Sequence, residues 1–147
     1  MAHDIYEVLA DEALCYEELL EIGKAKREIL VKNDTKTLKA MNLKEEALLG
    51  RHRKLEKRRL ETLKELAASE GISPGQITLD WLLEKLGDSP ASERLAALRS
   101  RMRAAASSLK EVNEGNMKLI QSNLDYIECT MNLLREASQQ SAFDVLR

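Results

Sequence analysis

The amino-acid sequence predicts an all-α protein: an elongated antiparallel helical bundle, or coiled coil, of three long helices and one short helix. Ala, Leu, Glu, Lys and Arg together make up 82 of the 147 residues, a composition typical of long helices and coiled coils. Aromatic residues supply only 3% of the chain, so we expect a seam of aliphatic and small side chains rather than a thick aromatic core. The apolar residues recur at helical spacing, and this periodicity places the individual helices.

The first two long helices are predicted over residues 5–31 and 35–68. Apolar side chains fall on one face of the first segment at spacings of three and four. Polar side chains begin the second segment, where Asp34 or Thr35 can accept bonds from free backbone amides as a cap. Three polar residues interrupt the apolar seam of the second helix, and they predict loose packing at its middle: Glu45, His52 and Arg59.

Helix-breaking residues separate the second long helix from the rest of the chain. They are Gly71, Pro74 and Gly75, which together cannot continue a helix. A short helix over residues 79–86 follows, and the last helix is predicted over residues 90–138. We therefore expect one helical-bundle domain over residues 1–138 and a C-terminal tail over residues 139–147, whose flexibility the sequence leaves open.

The last helix carries the strongest pattern in the chain. Its seam keeps a seven-residue repeat for six heptads, from Leu95 to Ala137, and such a repeat demands a coiled-coil partner. At ~1.5 Å per residue this helix is roughly 70 Å long, whereas the first two long helices span roughly 40 to 50 Å each. They cannot cover all of it. The uncovered part of the seam is a candidate binding surface for an external helix.

The residues that usually carry catalysis or bind cofactors are sparse. The two histidines, His3 and His52, have no Cys, Asp or Glu at metal-ligand spacing, and no glycine-rich phosphate loop follows a strand. Cys15 and Cys129 lie far apart in the sequence, so we expect reduced thiols rather than a disulfide or a metal site. The sequence predicts no enzyme activity, no metal and no cofactor.

Charge and hydropathy argue against nucleic acid and membranes as partners. The net charge is −2 at pH 7, which gives no general attraction to polyanions. The basic residues at 51–59 spread around a helix without interleaved aromatic residues, which favours a solvated face with salt bridges over a nucleic-acid site. No stretch approaches the ~18 to 20 apolar residues of a membrane span, and the N-terminus lacks a signal-peptide pattern. We expect a cytoplasmic protein with no membrane insertion.

Asparagines enter the seam of the last helix in its second half, at spacings of three and seven. An unpaired buried amide costs about 1 to 3 kcal/mol, so the presence of each asparagine in this seam needs an explanation. One interpretation is register control between helices of the bundle. The other, which we favour, is that this half is open in the free protein and closes over a client helix. The candidate client-binding residues are Asn113, Asn116, Met117, Leu119, Ile120, Asn123, Leu124, Tyr126, Ile127, Met131 and Leu134.

This segment resembles the FlgN family, the export chaperones for flagellar hook-associated proteins. The similarity lies in the pattern Asn113-x-x-Asn116-x-x-Leu119-Ile120 and the helical stretch that follows it. It extends to the second helix, at Glu45-Glu46-x-Leu48-Leu49, and to the short helix that begins at Thr78-Leu79. Length and predicted architecture are similar over essentially the whole chain.

The resemblance implies a cytoplasmic chaperone that binds the C-terminal helical segments of the hook-associated proteins FlgK and FlgL and delivers them to the flagellar type III export apparatus. Family members carry a tyrosine, usually followed by glycine, in a tail that docks on the export gate protein FlhA. The corresponding residue here is Phe143, without the glycine, and its alternative role is to pack back onto the bundle. The alternative to the whole interpretation is a structural coiled-coil homodimer that pairs through the same seam, or an adaptor without an export client. Weak homodimerisation is a separate expectation beside the chaperone interpretation.

Overall fold

A computed structural model describes the backbone of residues 2–145 and the side chains of residues 4–140. The described chain is helical, with no strand: α1 (Ala2–Lys32), α2 (Thr35–Glu70), a single 3₁₀ turn (Pro74–Gln76), α3 (Leu79–Leu86) and α4 (Pro90–Val145). The predicted all-α bundle of three long helices and one short helix is confirmed.

The helix α4 continues past its expected end near residue 138 to Val145. No glycine or proline lies between residues 138 and 145, so nothing in the local sequence stops the helix. The division into a domain and a tail stays a prediction, because a helical backbone does not decide whether residues 139–147 act independently.

The helix α1 lies in the middle and contacts both other long helices. It forms an antiparallel hairpin with α2, turned by Asn33 in a left-handed conformation (φ 57°). Asp34 caps α2 by accepting the backbone N–H of Thr37 at 3.2 Å, and its hydrogen bonds with Thr37 lower the pKa of the Asp34 carboxyl. The hairpin thus begins its second helix from a capped, well-defined turn.

In contrast to the α1–α2 hairpin, α1 and α4 run parallel to each other. Two of the hydrogen bonds that join them, Asn116 to Gly23 and Asn123 to Leu30, both link residues 93 positions apart in the chain. A constant separation in sequence means that the two helices advance together, one heptad for one heptad. The antiparallel α2 therefore returns the chain to the end where α1 begins, and the 3₁₀ segment and α3 reverse its direction there so that α4 starts beside the start of α1.

The main apolar core sits at that end, where α3 closes the bundle. Its buried residues come from all four described helices and from the segment before α3: Ile5, Leu9, Ala13, Leu66, Ala67, Ile77, Leu82, Leu95 and Leu98. A smaller cluster of Cys15, Leu19 and Leu55 lies further along the hairpin. Apolar burial therefore decreases along the bundle from the α3 end toward the α1–α2 turn.

Polar seam residues of α2 meet polar partners on α1 rather than leaving gaps. Lys26 reaches Glu45 at 3.3 Å, the Tyr16 hydroxyl lies 3.2 Å from His52 Nε2, and Arg59 donates to Glu12 at 2.8 Å. The expected loose middle of the second helix is therefore a row of specific polar pairs.

The basic residues at 51–59 take part in the same interface. Arg51 pairs with Glu18 at 3.4 Å, and Arg58 with Glu7 at 3.9 Å and Asp11 at 3.7 Å. These side chains are about half exposed, so each pair adds little stability by itself. Their arrangement matches the salt-bridged interpretation of this stretch: these partners lie on α1, and Arg59 also pairs with Glu56 of α2 at 3.9 Å.

Glu12 is the one carboxylate fully buried in the described core, at 0% exposure. Arg59 binds one of its oxygens, whereas Oε1 has no hydrogen-bond partner. Burial raises the pKa of the Glu12 carboxyl above the ordinary value of 4.5, and the Arg59 charge only partly offsets that shift. The ionised form therefore depends on Arg59.

Gly23 allows α1 and α4 to approach closely. A Cβ atom on Gly23 would lie 2.9 Å from Val112 Cγ1, a contact too short to exist without movement. Val112 is β-branched and half-buried, so its side chain has few alternative rotamers. The absence of a side chain at residue 23 lets the Asn116 amide reach the Gly23 carbonyl at 2.9 Å.

We predict that Gly23→Ala destabilises the protein and that Gly50→Ala does not. Alanine gains up to about 1 kcal/mol over glycine inside a helix, but overpacking against Val112 costs about 1 to 3 kcal/mol. Gly50 is the matched control, because it lies inside α2 with no atom within 4 Å of its added Cβ. Urea denaturation followed by circular dichroism gives both changes in the free energy of unfolding. Equal stability of the two variants would contradict the close approach.

We predict that Arg59→Ala lowers the free energy of unfolding by about 3 kcal/mol at neutral pH, because it leaves a buried carboxylate unpaired. The loss shrinks as the pH falls toward 4.5. The pKa of Glu12 is raised in the folded state, so the folded chain binds a proton at Glu12 more tightly than the unfolded chain does. The free-energy cost of the ionised carboxylate is therefore full above the folded-state pKa and absent below the unfolded-state pKa.

Two controls accompany this measurement. Arg53→Ala, on an exposed position of α2, changes stability by less than about 0.5 kcal/mol. The double variant Glu12→Gln/Arg59→Ala removes the titrating group, so its stability no longer shows the acid-dependent recovery. If the recovery persists in the double variant, Glu12 is not its source.

Candidate functional site

The helix α4 extends beyond the end of α1, the helix that covers its first half. Its last hydrogen bond to α1 joins Asn123 to the Leu30 carbonyl at 3.3 Å, and α1 ends at Lys32. Every residue from 124 to 140 is exposed. We call residues 124–140 the distal segment. The structure thus agrees with the expectation that the internal helices leave part of the last helix uncovered.

Two of the three asparagines fit the register-control interpretation, and the third is open to a client. Asn116 is 5% exposed and donates to the Gly23 carbonyl, and Asn123 is half-buried and donates to the Leu30 carbonyl. The NH2 groups of both amides are therefore bonded within the free chain, one heptad apart, as register control requires, whereas the buried Oδ1 of Asn116 has no hydrogen-bond partner. Asn113 is exposed and remains available to a partner.

The remaining predicted client-binding residues fall into a covered and an open group. Leu119 and Ile120 are half-buried beside α1, whereas Met117 is 66% exposed. The distal segment brings together the open group of Leu124, Tyr126, Ile127, Met131 and Leu134, each about half or more exposed. The role of these residues in client binding stays a prediction.

Leu133 belongs with the open group but was not among the predicted client-binding residues. It is 61% exposed and lies in the same heptad seam as Tyr126. The signal was present in the sequence, because the seven-residue repeat passes through residue 133. Its exposure depends on where α1 ends relative to α4, which the repeat alone does not give.

The distal segment presents two adjacent stripes of side chains at heptad spacing. The seam stripe continues the contact line with α1 and consists of Tyr126, Thr130, Leu133 and Ala137. The flank stripe lies beside it and consists of Leu124, Ile127, Met131 and Leu134. At ~100° per residue the two stripes together occupy about half of the helix circumference. The other half is polar, with Asp125, Asn132 and Glu136.

A groove leads from the flank stripe into the bundle. Met117 and Ile120 of α4 line it together with Leu49 of α2, and the Lys26–Glu45 pair lies along it; its volume is about 280 Å³. Leu49 is 39% exposed. The heptad line of the flank stripe therefore continues through Met117 and Ile120 to a groove with a mixed lining, which also includes the polar side chains of Lys26, Glu45, Asn113 and Asn116.

The distal segment is suited to helix binding. Exposed Leu, Ile and Met side chains at heptad spacing form the complement of an amphipathic helix, and methionine adapts to irregular partners. In the described part of the chain no group of three or more His, Cys, Asp or Glu side chains is placed to hold a metal ion. Within the same residues, no helix is long and apolar enough to cross a membrane.

Comparison with known families identifies the chain. The family model described as FlgN protein matches residues 1–143. The chain belongs to the FlgN family. The resemblance seen in the sequence is thereby confirmed, and FlgN membership makes the chain a flagellar export chaperone in general terms. No curated protein and no solved structure matches it.

FlgN membership gives the exposed surface a biological context. FlgN proteins are chaperones rather than a family of enzymes, so the extended apolar face on α4 is a feature to explain by binding. Phe143, which corresponds to the gate-docking residue of the FlgN resemblance, has a side chain outside the described residues.

Proposed function

We propose that the protein is a cytoplasmic chaperone that binds the C-terminal helical segments of FlgK- and FlgL-like hook-associated proteins and delivers them to the type III export apparatus. The observation that carries the proposal is the distal segment of α4, an apolar helix face with no partner among the described residues. FlgN membership supplies the client class.

The physical basis is protection of an aggregation-prone helix. A free amphipathic helix exposes an apolar stripe and associates with other copies of itself. A second helix that covers this stripe prevents the client from associating with other client copies before export. Ile127 and Leu134 lie near the middle of the exposed face, where a bound helix buries them most completely.

In this proposal the covered and open residues have different tasks. Asn116, Leu119 and Asn123 hold α4 against α1 and determine where the distal segment begins. The open residues contact the client, and Met117 and Ile120 extend the contact toward the groove beside Leu49. Substituting the first set changes the bundle, whereas substituting the second changes binding alone.

We predict that Ile127→Lys/Leu134→Lys weakens binding of a FlgK-type C-terminal segment by at least about 100-fold, because each lost apolar contact is worth about 1.5 to 3 kcal/mol. The matched control is Asn132→Lys/Gln139→Lys, which adds the same charge on the opposite, polar face of the distal segment. Isothermal titration calorimetry gives the affinities, and a sizing column should show a one-to-one complex for the unaltered chain.

Two outcomes would count against the proposal. Failure of the unaltered chain to bind any hook-associated segment removes the client. A tight homodimer that persists on dilution in analytical ultracentrifugation, and that Ile127→Lys/Leu134→Lys dissolves, would favour the structural coiled-coil alternative, since the same face would then serve self-assembly.

We also propose that Phe143 docks on the export gate protein FlhA. The support is its correspondence with the family tyrosine, and an aromatic ring offers a large apolar contact at small entropic cost. We predict that Phe143→Ala lowers affinity for the FlhA cytoplasmic domain at least about tenfold while client affinity is unchanged, and that Phe143→Tyr preserves both. Equal FlhA binding by Phe143→Ala would remove Phe143 from the docking site.

A further inference from the structure

The exposed face of the distal segment is wider than one helix covers. Leu124 and Leu133 lie nine residues apart, so at ~100° per residue they project to opposite sides of α4. They are 54% and 61% exposed, and the other members of the two stripes fill the arc between them. A surface helix that packs against one neighbour needs an apolar stripe of roughly 100°. Here the arc is close to twice that width.

The covered half of α4 shows how such a face is used. There the seam stripe is occupied by α1, through the contacts of Asn116 and Asn123. The line of the flank stripe, continued back through Met117 and Ile120, faces the groove that Leu49 of α2 also lines. In the covered half, α1 therefore packs on the seam line, whereas α2 lies across an open groove from the flank line, where Met117 is 66% and Leu49 39% exposed. The hairpin of α1 and α2 ends at its turn at Asn33.

We propose that the client segment supplies two amphipathic helices, one on the seam stripe and one on the flank stripe, which continue along α4 where the α1–α2 hairpin stops. This inference rests on the proposed function and specifies the shape of its client. The client then covers both stripes of α4, whereas α1 covers only the seam line in the first half of the helix.

A second copy of this chain is a poorer occupant for the same surface. The part of each copy that extends beyond its own hairpin is a single helix, α4, whose apolar arc is equally wide. Pairing two distal segments covers one stripe on each and leaves the other in water. A two-helix client covers both stripes at once, with a one-to-one stoichiometry.

The borders of the two stripes distinguish the two client helices. Glu128 and Arg135, one heptad apart, border the flank stripe, so the helix on that side should carry a base and an acid at the same spacing. Ser122, Cys129 and Glu136 border the seam stripe, so the helix there meets one acid and no base. The two sites are therefore not interchangeable.

The test uses residues near the outer edge of each stripe. Leu124→Lys/Met131→Lys alters the flank stripe, Tyr126→Lys/Leu133→Lys alters the seam stripe, and Asn132→Lys/Gln139→Lys is the control. The probe is a FlgK-type C-terminal segment long enough to contain two helices, titrated by calorimetry. We expect each edge pair to weaken binding at least tenfold and the control pair to leave it unchanged.

Shortening the client to one helix gives the second measurement. A one-helix segment should bind more weakly, and its binding should respond to only one of the two edge pairs. If only one edge pair weakens binding of the longer segment, one helix suffices and the inference fails while the proposed function stands. If the unaltered chain binds no segment, or if Ile127→Lys/Leu134→Lys has no effect on binding, the proposed function itself fails.

Discussion

The contact between Gly23 and Asn116 fixes the position of α1 along α4, and the rest of the structure depends on it. A seam of Leu and Ala repeats every heptad, so sliding one helix past the other by seven residues preserves most of its apolar contacts. The buried amide of Asn116 donates to the Gly23 carbonyl, and the missing Cβ at residue 23 leaves room for Val112 beside that bond. Asn123 repeats the bond at Leu30. This register sets how much of α4 is covered and therefore where the exposed face begins.

The hairpin of α1 and α2 obtains its alignment from charge in the same way. Few apolar side chains of α2 are buried, and the seam alternates leucines with Glu45, His52 and Arg59. A buried ion pair contributes little net stability compared with an apolar pair, but removing one partner is costly. The Glu12–Arg59 pair thus serves mainly to disfavour other registers of α1 against α2, because a shifted register would leave a charge unpaired. A chain with so few aromatic residues lacks the bulky side chains that would fix the helix packing by steric fit alone.

Much of the fold followed from the sequence, because helices and their ends are encoded locally. The breaks near Gly71 and Pro74 and the start at Pro90 agree with the structure to within a few residues. The asparagine stripe drew attention to the last helix, but the choice between its two interpretations depends on what lies opposite. Whether Asn116 meets a carbonyl or water depends on α1, which lies 93 residues away in the chain.

The parallel pairing of α1 and α4 and the exposure of Leu133 have the same origin. Both depend on long-range register, which a periodic pattern leaves undetermined. The end of α4 was misplaced for the opposite reason. Residues 139–145 contain no breaker, and weak helix formers continue a helix that is already formed, since propagation is far easier than nucleation.

The length difference between α1 and α4 also bears on how strongly a client can be held. The distal segment owes its helical form to continuity with the covered half, because an isolated helix of this length is marginal in water. Local stability is low where a helix has few tertiary contacts. A client that packs there must therefore order side chains on both partners, and this cost reduces affinity for a given buried area. Such a surface can bury a wide apolar face and still release it, as the proposed delivery of a client requires.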